Sequence, residues 1–118
     1  MKNDLHVVLS VRLFTDQKCF GPGVAELLRQ VEAHGSLRAA AQSMEMAYSK
    51  AWTVIRKSEQ SLGFPLLQSS TGGKHGGGAL LTAQARQMLA AYDDYCRELL
   101  AEAQARFAEK FAFFDELS

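Results

Sequence analysis

Residues 36–63 read SLRAAAQSMEMAYSKAWTVIRKSEQSLG, and the fold turns on how many helices that stretch holds. Ser36 is a good N-cap. The LRAAAQSM that follows suits a short helix whose three consecutive alanines, Ala39 to Ala41, let another helix approach closely. Glu45, Met46 and Ala47 then interrupt the pattern. A longer helix is predicted from about Tyr48 to Leu62, ended by Gly63 and Pro65. At about 100° per residue, Tyr48, Ala51, Trp52, Ile55 and Leu62 form one face, so both aromatic rings are expected in the core rather than as a stacking platform. Lys50, Thr53, Lys57 and Gln60 point roughly the opposite way, with Ser49 and Arg56 on a flank. The outward face is therefore cationic and hydrogen-bonding, and no acid stands on it.

Upstream, LHVVLSVRLF at residues 5–14 places Leu5, Val7, Leu9, Val11 and Leu13 on one face by strict alternation, which predicts a strand. Thr15 to Lys18 suit a turn, and Cys19-Phe20 a short return strand that Gly21-Pro22-Gly23 stops. Val24, Leu27, Leu28 and Val31 recur at helical spacing, with Gly35 where a left-handed cap would fall. Downstream, residues 70–82 read STGGKHGGGALLT, with five glycines in seven positions. Short apolar runs on either side, Phe64 to Leu67 and Ala79 to Thr82, make this a β-hairpin rather than a linker. A nucleotide-binding loop fails, because GGKH lacks the Ser or Thr that must follow the lysine. Thr82 caps a last helical pattern in which Ala85, Met88, Leu89, Tyr92, Cys96, Leu99, Leu100, Ala103, Phe107 and Phe111 follow one another without a glycine or proline. Some 30 residues would span roughly 45 Å, more than so small a domain can cover, so the surplus apolar face calls for a second chain.

The chain has 118 residues, 47% hydrophobic and 22% charged, as in one ordinary globular domain. Cys19 and Cys96 lack metal-ligand or CxxC spacing, which suits a reducing, cytoplasmic setting. Neither a signal peptide nor a membrane span is legible. The formal net charge of zero argues at first against a polyanionic partner, but its distribution argues otherwise. Residues 34–86 hold six cations against two carboxylates, and residues 87–118 hold three against seven. His6, His34 and His75 have no second ligand at useful spacing, so no metal site is expected. No Ser, His and Asp or Cys and His set argues for an enzyme, and no cofactor is implied.

Strand, helix, short helix, tight turn, third helix and hairpin are the order of a winged helix-turn-helix domain. The expected fold is thus mainly α with a small β component, carrying an N-terminal strand or hairpin and a long C-terminal dimerisation helix. In such a domain a helix enters the major groove, whose width of about 12 Å admits it. The sequence resembles, more specifically, the N-terminal DNA-binding domain of the ModE family of molybdate-responsive regulators, and more loosely the LysR-type winged helices. FGPGVAELL, GSLRAAAQSMEMAYSKAWTVI and STGGKHGGGALLT, with the spacing between them, carry the resemblance over roughly residues 20–95.

The resemblance implies a cytoplasmic, prokaryotic regulator, homodimeric through the long helix, on a palindromic double-stranded operator. It divides the chain into a DNA-binding domain at residues 1–81, with the wing at about 64–82, and a dimerisation helix and tail at 82–118. Ser49, Lys50, Thr53, Arg56 and Lys57 are the expected recognition-helix contacts, with Trp52 as a buried anchor. Gly72, Gly73, Lys74, His75, Gly76 and Gly77 are the expected wing contacts. Met88, Leu89, Tyr92, Cys96, Leu99, Leu100, Ala103, Phe107 and Phe111 are the expected dimer face. Four positions depart from the family: Ala47 stands where serine often caps, Glu45 where glycine is common, Ser58 where an apolar residue is usual, and His75 interrupts the wing. The family's oxyanion sites lie in C-terminal domains without counterpart in these residues, so molybdate binding by this chain is not expected. The alternatives are a winged-helix protein-interaction module without DNA binding, or an oxyanion-binding accessory protein.

Overall fold

The computed structural model describes residues 4–70 and 77–117. It is mainly helical, with two small antiparallel ribbons. The first ribbon pairs β1 (Leu13–Phe14) with β2 (Lys18–Phe20). The long N-terminal strand expected from alternation is thus reduced to two residues. A ladder needs a partner of equal length, and β2 has only three residues before Gly21 and Pro22 begin a helix. Residues 5–12 form no helix or strand. They lie along the last helix of the chain, where Val7, Leu9 and Val11 share a groove with Tyr92, Cys96 and Leu100. The Tyr92 hydroxyl donates to the Val11 carbonyl at 2.6 Å and ties that segment down.

Helix α1 (Pro22–His34) starts with proline at its first turn, where a missing N–H costs nothing, and ends on Gly35 at φ 81°. Its Ala25, Leu27, Leu28 and Val31 are wholly buried, each large side chain contributing about 1.5–3 kcal/mol. Helix α2 (Leu37–Ser43) begins at Ser36, whose hydroxyl accepts from the Ala39 N–H at 3.0 Å. It packs through Ala40 and Ala41, the small residues that permit close approach. The chain then turns at Glu45, which holds φ 53°, a left-handed conformation that glycine would adopt without strain. Helix α3 (Tyr48–Leu62) follows, with Ala47 as an N-cap that makes no side-chain bond and Gly63 at φ 88° as its C-cap.

The second ribbon pairs β3 (Leu67–Ser69) with β4 (Ala79–Leu81). The first strand begins three residues later than its apolar run suggests. Leu66 is fully buried, its N–H donates to the Glu59 carboxylate at 2.7 Å, and Pro65 has no N–H to offer a ladder. Helix α4 (Ala83–Lys110) is capped by Thr82, whose hydroxyl accepts from the Ala85 N–H at 3.0 Å and donates to the Pro65 carbonyl at 2.8 Å. Only its first three turns are buried, at Ala85, Leu89 and Tyr92. Phe111 caps it rather than extending it, and a 3-10 helix at Ala112–Leu117 follows. Among the described residues, no helix is long and apolar enough to cross a membrane.

Candidate nucleic-acid interface

Three attachments hold α3 and the second ribbon in fixed relation. Ala51, Ile55 and Ser58 bury the inner face of α3. The Ser58 hydroxyl donates to the Cys19 carbonyl of β2, so a polar residue at a core position is satisfied and also ties the helix to the first ribbon. The ribbon is pinned at both ends, since Ala79 N–H donates to the Gly35 carbonyl at 2.9 Å and Thr82 N–H to the Leu66 carbonyl at 3.0 Å. Beyond them, at the loop end, Ser70 N–H donates to the Gly78 carbonyl at 3.0 Å. A Cβ on Gly78 would come within 2.8 Å of the Ser70 Cβ, so this glycine is required by close approach.

With the inner face fixed, Ser49, Lys50, Thr53, Arg56, Lys57 and Gln60 are all exposed. They are brought together on one outward face of α3, as their spacing predicts. Thr53 donates its hydroxyl to the Ser49 carbonyl at 3.0 Å and keeps its lone pairs for an outside donor. Among the described residues, Lys50, Arg56 and Lys57 form no ion pair. The acid of this helix that lies nearest them in sequence, Glu59, is engaged by Leu66 as a cap of the ribbon. The face therefore presents uncompensated positive charge. Gly77 is exposed at the ribbon's edge. Gly72, Gly73, Lys74, His75 and Gly76 lie outside the described residues.

Two expectations change. Trp52 is not a buried anchor: it is 40% exposed, because the buried arc of α3 is centred on Ala51, Ile55 and Ser58 and Trp52 stands at its border. Its neighbours are Tyr48, edge-on with ring centroids 6.3 Å apart, and Arg56, whose guanidinium carbon lies 5.7 Å from its centroid. Arg38 of α2, which the sequence reading did not single out, sets its guanidinium carbon 4.2 Å over the Tyr48 ring. The i, i+4 spacing of Tyr48, Trp52 and Arg56 was a readable signal for the second pair only.

Of the residues expected between two copies, Leu89 and Tyr92 are already buried within the chain, at 7% and 6% exposure. Tyr92 packs edge-on against Phe20 at 5.0 Å. Burial first, and hydrogen bonding with the Cys96 thiol second, push its phenol up to about 12. Met88, Cys96, Leu99, Leu100, Ala103 and Phe107 are half-buried and Phe111 is exposed. Arg29 joins α1 to α4 through Asp93 at 2.7 Å. The same Arg29, after the larger effect of the Gln30 amide, lowers the carboxyl of Glu26.

Residues 24–86 match the family described as bacterial regulatory helix-turn-helix protein, lysR family. The chain is similar to the transcriptional regulator ModE of Haemophilus influenzae, at 35% identity over 79% of this chain and 36% of that one. It is likewise similar to the DNA-binding transcriptional dual regulator ModE of Escherichia coli, at 33% identity over 85% of this chain and 36% of the relative. The molybdenum-pterin-binding protein MopB of Rhodobacter capsulatus is 36% identical over 56% of this chain and 24% of its own length. The chain thus spans little more than a third of the length of the first two relatives.

Proposed function

Because the chain belongs to the lysR family of bacterial regulatory helix-turn-helix proteins, we propose that it is the DNA-binding part of a ModE-type transcription regulator. In this reading a homodimer holds a palindromic double-stranded operator, one α3 per half-site. Lys50, Thr53 and Lys57 face base edges in the major groove, and Ser49 and Arg56 meet nearby phosphates or bases. Gly72, Gly73, Lys74, His75, Gly76 and Gly77 form the wing, which follows the backbone or the minor groove. A genomic DNA partner sets the bacterial cytoplasm as the site of action. The observation that carries the reading is the exposed, acid-free outward face of α3 beside a pinned ribbon.

Dimerisation rests on the shape of α4. Its 28 residues reach about 42 Å. The Cα radius of gyration of 18.2 Å exceeds the roughly 13–14 Å of a compact chain this long. No residue beyond Tyr92 is buried among the described ones. Residues 1–81 then serve as the DNA-binding domain and 82–118 as the arm between copies. Met88, Cys96, Leu99, Leu100, Ala103, Phe107 and Phe111 are left for the partner copy to cover. The proposal assigns no molybdate site to these residues.

Selection of duplexes from a random pool, followed by affinity measurement over a salt series, tests the DNA reading. Phosphate contacts make affinity fall steeply with salt, and Lys50→Glu should abolish selective binding while leaving the helical circular dichroism intact. Salt-insensitive binding, or none to any duplex, would overturn it and favour a protein-interaction module. Sedimentation equilibrium tests the dimer, which a monomer at micromolar concentration would exclude.

A further inference from the structure

The stripe Tyr48, Trp52, Arg56 lies neither in the core nor at the centre of the outward face of α3. It borders a groove of about 300 Å³ whose lining includes Leu37, Arg38, Tyr48, Trp52, Gln68 and Ser69, with Gly77 to Ala79 at the loop end of the second ribbon along its other side. Two guanidinium groups stand over the two rings, Arg38 over Tyr48 at 4.2 Å and Arg56 over Trp52 at 5.7 Å. Among the described residues, no carboxylate lines the groove.

We propose that this groove is a clamp for one sugar-phosphate strand, with Arg38 and Arg56 binding phosphates and the Tyr48 and Trp52 rings packing against deoxyribose. The proposal rests on α3 being the major-groove helix. A duplex alternates major and minor grooves, and the wall between them is one backbone strand. A helix in the first and a hairpin reaching toward the second must straddle that wall, so the cleft between helix and hairpin is where the strand passes. The lining has the chemistry a strand requires. Guanidinium forks fit phosphate oxygens two bonds at a time. Cations held over ring faces are already ordered, so phosphate binding sacrifices less side-chain freedom. The rings match the apolar faces of the sugars, which accounts for a tryptophan left 40% exposed beside a helix that had core positions to offer. Backbone contacts position without reading bases. Arg38 and Trp52 therefore act alike on every sequence, unlike Lys50 or Thr53.

Trp52 is the chain's single tryptophan, so its fluorescence reports on this groove alone. The test uses the full chain and a mixed-sequence duplex several helical turns long, at low salt. Anisotropy of a labelled duplex measures binding, and acrylamide quenching of Trp52 measures its exposure. DNA is expected to shield Trp52 from acrylamide. Arg38→Gln is expected to weaken binding to selected and unselected duplexes by the same factor, and to lower the slope of log affinity against log salt by about one. Arg38→Lys should restore the slope and part of the affinity. If the duplex binds while Trp52 stays equally quenchable, or Arg38→Gln leaves affinity and slope unchanged, the clamp is wrong and the major-groove reading stands. If no duplex binds, both fall. Arg38 is exposed, and unchanged thermal melting of Arg38→Gln ensures that lost binding is not lost folding.

Discussion

Replacing Thr82 by valine isolates one hydroxyl that joins the ribbon to α4. The side chain is 5% exposed, and valine keeps its shape while removing two hydrogen bonds, one from Ala85 N–H at 3.0 Å and one to the Pro65 carbonyl at 2.8 Å. Loss of an N-cap costs about 1 kcal/mol. Losing the bond to the carbonyl of the exposed Pro65 costs about another 1–1.5 kcal/mol. The expected loss is therefore about 2–2.5 kcal/mol, or roughly 10 °C in melting temperature for a domain of this size. Thr82→Ser keeps both bonds and removes one methyl, for about 0.8 kcal/mol. Urea unfolding at a single protein concentration, since assembly makes apparent stability concentration-dependent, should show the valine midpoint well below the serine midpoint at equal slopes. A Thr82→Val protein within about 0.5 kcal/mol of the parent, or a serine variant equally damaged, would refute the argument that the hydroxyl rather than the packing carries this junction.

Ala47 already has the extended backbone of an N-cap, at φ −62° and ψ 140°, so Ala47→Ser should stabilise the protein by about 1 kcal/mol; a melting curve that does not rise would mean the serine oxygen finds no N–H. Gly78→Ala should force Ser70 aside, since their Cβ atoms would lie 2.8 Å apart, at about 1–3 kcal/mol. Faster hydrogen exchange at Ser70 and Ala79 is the expected signature, and adding Ser70→Gly should reverse it. The phenol of Tyr92, raised to about 12 in the folded chain, favours the protonated form in the native state. Its stabilisation is full below about pH 10, the unfolded value, and lost as pH climbs toward 12. Tyr92→Phe should flatten that part of a stability-against-pH curve, besides freeing the Val11 carbonyl at about 1 kcal/mol; an unaltered alkaline limb would contradict the assignment.

The helices were legible because their ends are written in local chemistry. Gly35, Ser36, Gly63 and Thr82 act within one turn of themselves, and the structure puts each at the cap its residue type predicts. Residues 5–12 misled because alternation records which side chains share a face and is silent on whether a backbone partner exists. Leu66 is apolar and strand-like, yet the Glu59 carboxylate seven residues earlier takes its N–H, a long-range substitution that no short pattern reveals. The inner face of α3 was rotated in the reading because Ser58, polar by type, is buried through a bond to Cys19, whereas Trp52, apolar by type, is not buried. Arg38 stayed hidden for a related reason. Its partner ring is ten residues away, on another helix.

The carbonyl of Gly35 has a further consequence. One residue ends α1 in a left-handed turn and also receives the Ala79 N–H, so even the loop end of the ribbon is anchored on the helical body. Each doubling of the length of the connection between Ser70 and Gly77 adds only about 0.6 kcal/mol of closure entropy, and the bonds from Ala79 to Gly35 and from Thr82 to Leu66 do not pass through it. Loops from distant relatives could be grafted between these two residues, separating what such a tip contacts from how the domain folds.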